Sequence, residues 1–353
     1  MIVDPFLYIK KSDKPVLITG HTGFKGAWLT LLLENLGLEV VGYSLEAEKN
    51  TLFDRLNRRG KINEDFSDIR DFDVLEKFIN RVRPEVIFHL AAQPLVLDSY
   101  SNPRETFDVN LMGTANVLEA ARRVESVKSV LVSTTDKVYK NVENKNRFIE
   151  SDPLLGKDPY SASKVGVENI ILAYQQFSKI SDSPTVTALR SGNVIGGGDV
   201  SRNRLIPDLI KSFSNDSVAK IRNPNSTRPW QHALDPLTGY VLAANAILSG
   251  KKINSINFGP NGEALSVKQV AVIAKSTWGS RAEFEVEAKN DQLEAKNLEL
   301  DSSFANKELS WEPKWSQENA VIESISWWKS VLLENTAPLD RCNQDIKFCL
   351  ESK

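Results

Sequence analysis

A glycine-rich turn near the start of the chain constrains the fold more than any other feature. Residues 16–19 read Val-Leu-Ile-Thr, a short run typical of a buried strand, and an apolar helical pattern covers residues 26–36. Glycines at positions 20, 23 and 26 let the backbone turn tightly between the two, and the first N–H groups of such a helix attract a pyrophosphate. The turn therefore predicts a strand-turn-helix unit that binds a dinucleotide. The residues predicted to contact it here are Gly20, Thr22, Gly23, Phe24, Lys25 and Gly26.

Apolar runs alternate with longer amphipathic segments over the first half of the chain. Further strand-like runs lie at residues 39–43, 86–90, 130–133 and 186–190, and helical patterns at 109–123 and 161–177. Short buried strands separated by helices indicate a parallel sheet, because right-handed crossovers place helices on both of its faces. We therefore predict an α/β protein with a Rossmann-type doubly wound parallel sheet and a smaller mixed α/β lobe.

The pattern becomes irregular after residue 190, which predicts a change of domain. A chain of 353 residues is long enough for two lobes. We predict a dinucleotide-binding domain over residues 1–190, which also carries the catalytic residues. The substrate-binding lobe is predicted over 191–353, with a segment near 231–256 returning to the first domain.

Composition excludes several classes of partner. Lys and Arg (44) nearly balance Asp and Glu (46), so no overall field favours nucleic acid or an anionic membrane. No apolar run approaches the ~20 residues that span a bilayer, and charges among the first fifteen residues break a signal-peptide pattern. The two cysteines, Cys342 and Cys349, form neither a disulfide framework nor a metal-binding pair. We predict a cytoplasmic protein that binds no nucleic acid, membrane or metal.

The end of the second predicted strand bears on the choice of dinucleotide. No arginine stands there to accept a 2′-phosphate, so NAD is predicted rather than NADP. Glu46 lies slightly further along the sequence from the end of this strand than a ribose-binding acid normally does. The other strand ends supply small or polar residues, although packing alone would also explain an Ala-Ala pair. The further predicted cofactor contacts are Asp68, Ile69, Leu90, Ala91, Ala92, Gln93 and Ser133.

Tyr160 and Lys164 stand four residues apart at the start of a predicted helix. This spacing places both side chains on one face. A phenol with a pKa of ~10 is a poor base at neutral pH, but a nearby ammonium and a positive nicotinamide ring would favour the phenolate. Tyr160 is then predicted to accept a proton from a sugar hydroxyl while a hydride leaves the carbon. A surface tyrosine beside a solvated lysine is the alternative.

The TGxxGxxG pattern that begins at Thr19, together with YxxxK, resembles the extended short-chain dehydrogenase/reductases over nearly the whole chain. Within that group, Thr135, Asp136 and Lys137 resemble the Thr-Asp-Glu site of sugar 4,6-dehydratases, in the lysine form typical of those acting on CDP-glucose. Residues 20–26, 221–224 and 228–232 are similar to the same enzymes rather than to epimerases. The resemblance implies NAD-dependent dehydration of a nucleotide-diphosphate glucose, with CDP-glucose as substrate.

The residues themselves suit that chemistry. Once the C4 hydroxyl is oxidised to a ketone, loss of water needs a base at C5 and an acid at the C6 hydroxyl. Asp136 is predicted to be the acid, with a raised pKa, and Lys137 the base, neutral because it is desolvated. By resemblance, the hydride then returns to C6 and regenerates NAD. Thr135 is expected to bind the sugar oxygen beside Tyr160, and an exposed Asp–Lys ion pair is the alternative.

The second lobe is predicted to hold the substrate. Arginine is the natural partner of a diphosphate, although most arginines are solvated surface charges. Arg228 is the first candidate. The complete set of predicted substrate contacts is Gln93, Thr135, Asn193, Arg204, Leu205, Arg222, Arg228 and His232.

Other functions and an assembly state also follow from the resemblance. The alternatives are a nucleotide-sugar 4-epimerase, a dehydratase for another nucleotide-glucose and a non-catalytic NAD-binding protein, and the presence of both Tyr160 and Lys164 argues against the last. A homodimer or homotetramer is implied, formed through the helices at 109–123 and 161–177. One departure is that residues 139–144 read Tyr-Lys-Asn-Val-Glu-Asn, where the CDP-glucose enzymes commonly carry Tyr-Glu-Asn-Arg-Glu.

Overall fold

The computed structural model describes residues 4–141, 147–287 and 298–351. The strands are β1 (Val16–Thr19), β2 (Val40–Ser44), β3 (Asn63–Phe66), β4 (Val86–His89), β5 (Ser129–Ser133), β6 (Thr185–Ser191), β7 (Asn193–Ile195), β8 (Val218–Ile221), β9 (Thr227–Arg228), β10 (Trp230–His232), β11 (Ser255–Phe258), β12 (Leu265–Ser266) and β13 (Glu283–Val286). The α-helices are α1 (Leu7–Lys10), α2 (Phe24–Asn35), α3 (Leu52–Arg55), α4 (Phe72–Val82), α5 (Val96–Ser101), α6 (Pro103–Phe107), α7 (Gly113–Arg122), α8 (Pro159–Ile180), α9 (Leu205–Ser214), α10 (Leu234–Leu248), α11 (Val267–Trp278), α12 (Ser303–Leu309), α13 (Gln317–Leu333) and α14 (Pro338–Leu350).

The main sheet has seven parallel strands in the order β11-β6-β5-β4-β1-β2-β3. The order reverses between β1 and β4, and α/β sheets bind ligands in the crevice beyond the carboxyl ends of the strands at such a point. The glycine turn follows β1 directly, so it lies at that crevice. The predicted doubly wound parallel sheet is confirmed.

Side chains along the central strands point alternately to the two faces of the sheet, and this divides the core into two layers. Leu17 packs in the cluster that α4, α7 and α8 build on one face of the sheet. Ile18, its neighbour, packs in the cluster that α2 and α10 build on the other face. Successive strand side chains point to opposite faces, and both faces are covered, so the strands are apolar at consecutive positions.

The second half of the chain contributes to both lobes. β11 lies at the edge of the main sheet, parallel to β6, and α10 packs on α2. Small strand pairs (β8 with β13, β9 with β12, β7 with β10) and the helices α9, α11 and α13 build the rest of the smaller lobe. The domain boundary at residue 190 stays a prediction. In the described part of the chain, no helix has both the length and the apolar character needed to cross a bilayer.

The helix predicted over residues 109–123 is interrupted in the structure. A π-helical turn, Asp108–Met112, joins α6 to α7. Asn110 on this turn accepts a hydrogen bond from the Gln93 N–H and donates to the Gln93 carbonyl oxygen and to Ser163 Oγ. The wider turn thus ties the loop after β4 to helix α8, a long-range contact that helical periodicity does not reveal.

Candidate active site

The glycine turn leaves no room for side chains. Gly20 has φ +78°, and a Cβ there would lie 2.7 Å from the backbone nitrogen of Ala91. A Cβ on Gly26 would lie 2.0 Å from the carbonyl oxygen of Gly20. Gly23 is the N-cap of α2, and no described side chain caps that end of the helix. The first N–H groups of α2 are therefore available to a ligand that approaches the backbone closely.

A cleft of about 730 Å³ begins at this turn and continues into the second lobe. It is lined by all the predicted cofactor contacts except Gln93. These are Gly20, Thr22, Gly23, Phe24, Lys25, Gly26, Asp68, Ile69, Leu90, Ala91, Ala92, Ser133, Tyr160 and Lys164.

Gln93 lies outside the lining, and its contacts with cofactor and substrate stay a prediction. Its amide nitrogen donates to the carbonyl oxygen of Leu95 and to Thr106 Oγ1, and its amide oxygen accepts from the N–H of Leu95. The side chain is thus used to shape the loop after β4. A strand-end position alone does not reveal such internal bonding.

Sequence reasoning missed part of the wall at the end of β2. Ser44, Leu45 and Glu48 line the cleft there, and Thr22 Oγ1 and Ser44 Oγ are 2.7 Å apart. Glu46, by contrast, lies outside the lining and forms an exposed two-point ion pair with Arg59. Proximity to the carboxyl end of a central strand is the signal that would have pointed to Ser44.

The start of α8 is fixed by several local hydrogen bonds. Asp158 and Ser161 form a capping box, with Pro159 in the first turn. The N–H of Tyr160 donates to Ser99 Oγ, and Ser163 Oγ donates to the carbonyl oxygen of Tyr160. These contacts hold the first turn of α8 so that Tyr160 and Lys164 both line the cleft.

Two lysines share one serine at the floor of the cleft. Lys164 Nζ donates to the carbonyl oxygen of Ser133 at 3.1 Å, and Lys25 Nζ donates to Ser133 Oγ at 2.7 Å. Burial, with the nearby charge of Lys25 as a second cause, lowers the pKa of Lys164 to about 7. Both causes disfavour the charged ammonium.

The phenol of Tyr160 differs from the sequence expectation. Burial raises its pKa to about 12, while hydrogen bonding with Thr135 and the charge of Arg204 act in the opposite direction. In the protein by itself, desolvation therefore outweighs the effects of its neighbours, and the expected phenolate, which also depends on a positive nicotinamide ring, stays a prediction. The chain's own groups hold Tyr160 in the protonated form.

Thr135, Asp136 and Lys137 follow β5 at the cleft wall. Thr135 Oγ1 donates to Asp136 Oδ1 at 3.0 Å, and Thr135 caps the short 3₁₀ turn Asp136–Val138. Asp136 is 1% exposed, and its Oδ2 atom has no hydrogen-bond partner among the described residues. Burial raises its pKa to about 6, with the charge of Lys137 the main opposing effect. Lys137 is half-buried and lines the same cleft as Tyr160.

A buried ion pair connects the two catalytic segments. Arg190 binds both carboxylate oxygens of Glu168 at 2.9 Å, and Thr134 Oγ1 donates to one of them at 2.7 Å. Glu168 lies one helical turn beyond Lys164, and Thr134 directly precedes Thr135. The pair therefore fixes the end of β5 against α8. Sequence reasoning missed it, although the spacing of four from Lys164 was visible.

Six of the eight predicted substrate residues line the cleft, and Gln93 and His232 do not. Arg228 is 8% exposed, and its charge lowers the pKa of Asp136, which places it close to that carboxyl. Arg204 forms an ion pair with Asp199 at 3.3 Å. The predicted substrate contacts that line the cleft are Thr135, Asn193, Arg204, Leu205, Arg222 and Arg228.

His232 does not line the cleft, and its substrate contact stays a prediction. Its ring is fully buried behind the cleft, 4.4 Å from the ring of Trp315 and 5.7 Å from that of Trp28, between centroids. Its Nδ1 accepts a hydrogen bond from the N–H of Leu234. The histidine thus packs the junction of β10 and α10. Residues 142–144 of the divergent stretch after Tyr139 lie outside the described residues.

Comparison with known proteins agrees with this geometry. The family described as GDP-mannose 4,6 dehydratase matches residues 17–324. A CDP-glucose 4,6-dehydratase of Salmonella typhimurium is 40% identical over 90% of this chain and 91% of that protein. A dTDP-glucose 4,6-dehydratase of Xanthomonas campestris is 24% identical over 94% of this chain and 99% of its own length.

Solved structures share the fold. The dTDP-glucose 4,6-dehydratase DesIV of Streptomyces venezuelae, solved with NAD, has a TM-score of 0.78 and 22% identity, over 92% of this chain and 99% of that one. The Thermus thermophilus UDP-glucose 4-epimerase, also solved with NAD, has a TM-score of 0.78 and 23% identity, over 89% of this chain and 99% of that one. With the family match and the 40% identical relative, these findings show that the chain belongs to the GDP-mannose 4,6 dehydratase family of nucleotide-sugar dehydratases, within the extended short-chain dehydrogenase/reductases.

Proposed function

We propose that this protein is an NAD-dependent nucleotide-sugar 4,6-dehydratase and that its substrate is CDP-glucose. One observation carries the proposal: a single cleft is lined by the glycine turn, by Tyr160 with Lys164, by Asp136 with Lys137, and by arginines from the second lobe. The 40% identical relative is named for the same reaction. This reaction requires an acid, a base and a tyrosine that takes a proton during the oxidation, all beside one cleft.

The residues at the glycine turn fit a dinucleotide. A Cβ at Gly20 or Gly26 would clash with neighbouring backbone, so these glycines permit the tight turn and the close packing of α2 on which a dinucleotide-binding turn depends. The uncapped start of α2 offers N–H donors to its charge. When bound, NAD supplies an acceptor for the C4 hydride of the hexose and later a hydride donor for C6.

Tyr160 acts first, on the C4 hydroxyl of the hexose. Its phenolate, which the positive nicotinamide ring of bound NAD would favour, takes the hydroxyl proton as the hydride leaves C4 for the cofactor and the C4 ketone forms. Lys164, on the same face of α8, stabilises the phenolate charge when it is protonated. Thr135 Oγ1 orients the phenolic oxygen of Tyr160, because Thr135 lies next to both Tyr160 and Asp136.

Lys137 and Asp136 then remove water across C5 and C6. The C4 ketone acidifies the C5 hydrogen, and the Lys137 amine takes that proton as the C5–C6 double bond forms. The C6–O bond breaks, and Asp136 gives its proton to the departing hydroxyl, which leaves as water. The raised pKa of Asp136, about 6, keeps part of its population protonated near neutral pH.

The arginines of the second lobe hold the nucleotide diphosphate. Arg204, Arg222 and Arg228 line the cleft beyond Asp136. Guanidinium groups bind phosphate oxygens through paired N–H donors and neutralise the charge of the ligand. This arrangement orients the hexose toward the nicotinamide end of the cleft.

Incubation with nucleotide-glucoses tests the proposal directly. Purified protein with NAD far below the substrate concentration is expected to convert CDP-glucose to a product that has lost one water, as seen by mass spectrometry. CDP-, dTDP-, UDP- and GDP-glucose are compared at equal concentration, and CDP-glucose is expected to react fastest. Turnover beyond the amount of NAD present shows that the cofactor is regenerated.

Two other outcomes would assign a different function to the protein. Formation of a 4-epimer without change of mass would identify a 4-epimerase. Absence of any product from all four substrates, with NAD binding retained, would identify a non-catalytic NAD-binding protein. We also propose a cytoplasmic location, because both cysteines of the chain are buried free thiols, as expected in a reducing compartment.

We further propose a homo-oligomer formed through α8 and the π-helical turn beside it. Leu172 on α8 is 51% exposed and Met112 on the turn is 54% exposed. The two elements pack together, so these apolar side chains belong to adjoining surfaces. Leu172→Glu is expected to shift the protein from dimer or tetramer to monomer in sedimentation velocity, because it buries a charge in the contact.

Val272→Glu is the matched control for this test. Val272 on α11 is also 51% exposed but lies in the other lobe. It is expected to leave the sedimentation coefficient unchanged. A wild-type protein that sediments as a monomer at all concentrations, or an oligomer indifferent to Leu172→Glu, would contradict the proposed contact.

A further inference from the structure

A carboxylate lies in the wall of the substrate cleft without an assigned partner. Asp208, in the first turn of α9, is half-buried and lines the cleft together with Leu205, Pro207 and Arg222. Within the described part of the chain, no hydrogen bond or ion pair to its side chain is present. Burial raises its pKa, and Arg222 followed by Lys211 are the cations that act against this rise.

Two other acids that line the cleft are engaged. Asp68 is bound by Arg70, and Asp199 accepts from Ser201 and from Arg204. A carboxylate that faces the path of a nucleoside diphosphate repels the ligand's phosphates. Its presence in the wall is understandable if the ligand brings a hydrogen-bond donor to it, because a desolvated acceptor without a donor costs free energy.

We propose that Asp208 reads the nucleotide base, by accepting a hydrogen bond from the exocyclic amino group of cytosine. The inference rests on the proposed function, since it concerns the base of the same nucleotide-sugar substrate. It makes Asp208 the residue that selects cytidine over uridine and thymidine diphosphate sugars.

The chemistry of the bases gives the selection its direction. Cytosine carries a donor at N4, while uracil and thymine carry a carbonyl oxygen, O4, at the same place. A carboxylate accepts from the amine but repels the carbonyl. The charge of Arg222, the first of the cations that lower the pKa of Asp208, favours the ionised carboxylate that this contact needs.

The position of Asp208 suits a base rather than a phosphate or a sugar. Leu205 and Pro207 stand on the same turn of α9, and α9 packs against β8 and α11. Val267, the first residue of α11, also lines the cleft. Apolar side chains around one polar edge form the kind of wall that holds a flat base and reads its donors.

Asp208→Asn tests the inference by binding, apart from turnover. The asparagine has the same size but replaces the charge with an amide that can donate to O4 of uracil. Dissociation constants of CDP, UDP, dTDP and GDP are measured by calorimetry on NAD-loaded protein. Wild type is expected to prefer CDP over UDP, and the variant is expected to reduce that preference by about 10- to 100-fold, the range for a hydrogen bond to a charged group. The KM for CDP-glucose should rise in parallel.

Asp216→Asn is the matched control. Asp216 lies just after α9, is exposed, and has φ +49°, a conformation that asparagine adopts readily. This variant is expected to leave the CDP to UDP preference at the wild-type value.

Three results would overturn the inference. The first is an unchanged CDP to UDP ratio in Asp208→Asn, and the second is an equal gain in affinity for both nucleotides, which would mean that Asp208 only repels phosphate. The third is a wild-type preference for UDP, dTDP or GDP. Failure of the proposed dehydration is recognised separately, because it removes product formation by wild-type protein while the binding ratios remain measurable.

Discussion

Replacing Asp136 with asparagine is expected to slow the loss of water by about 10²- to 10⁴-fold, the usual contribution of a general acid. The hydrogen bond from Thr135 to Oδ1 can be kept by the asparagine, and the change in volume is small. The variant lacks the proton that the leaving C6 hydroxyl requires. Oxidation at C4 depends on Tyr160 and is expected to continue.

The two steps can be followed separately. Water loss is measured by mass spectrometry, and oxidation at C4 is measured by the absorbance of reduced nicotinamide in a single turnover. Asp136→Asn is expected to accumulate the reduced cofactor while product formation nearly stops. Turnover that stays largely intact would contradict the acid role and favour a 4-epimerase, which needs no acid at C6.

The raised pKa of Asp136 also makes the free energy of unfolding depend on pH. A carboxyl whose folded pKa lies above its unfolded value stabilises the fold at low pH, and this contribution is lost as the pH rises through the folded pKa. For Asp136 the window runs from about 3.8 to about 6. Asp136→Asn is therefore expected to flatten the fall in the free energy of unfolding over that window, measured by urea denaturation at several pH values.

Replacing Tyr160 with phenylalanine is expected to lower turnover by about 10²- to 10⁴-fold as well, but at the earlier step. The phenol is the group placed to take the C4 hydroxyl proton, and it shares the cleft with Lys164 and the glycine turn. Without it, neither water loss nor reduced nicotinamide should appear. The contrast with Asp136→Asn separates the redox step from the elimination.

Tyr174→Phe is the control for this variant. Tyr174 lies on the same helix, and its hydroxyl bonds to Glu119 at 3.3 Å, outside the lining of the cleft. It is expected to keep wild-type turnover. A Tyr160→Phe protein with normal kcat would contradict the proposed role of the phenol and would revive the view of a cofactor-binding protein without chemistry.

Local sequence was enough to predict the central layer of the fold. Residues 16–19 are buried at every position, because a central strand is covered on both faces, and they lead into glycines that only a tight turn requires. The spacing of Tyr160 and Lys164 placed both on one side of α8 because the helical repeat is fixed by backbone hydrogen bonding. These features depend on neighbours in the chain, so the residue pattern reveals them.

The neighbours of each site residue could not be predicted in the same way. Gln93 and His232 have residue types suited to ligands, yet one bonds within its own loop and the other packs against Trp28 and Trp315. Asp208 was not singled out at all, although it lines the cleft. Whether a polar side chain meets a ligand or the protein depends on segments far away in the chain.

The sequence by itself determined the parallel α/β sheet, the glycine turn after β1 and the position of the proposed reacting residues at a strand end and on one helix face, because strand alternation, helical periodicity and glycine geometry are local properties. Only the tertiary structure decided the chemical state of those residues. The pKa of Asp136 rises to about 6 and that of Lys164 falls to about 7 chiefly because folding buries them. Desolvation and the approach of Lys25 or Arg228 are properties of the assembled cleft, and no local pattern encodes them.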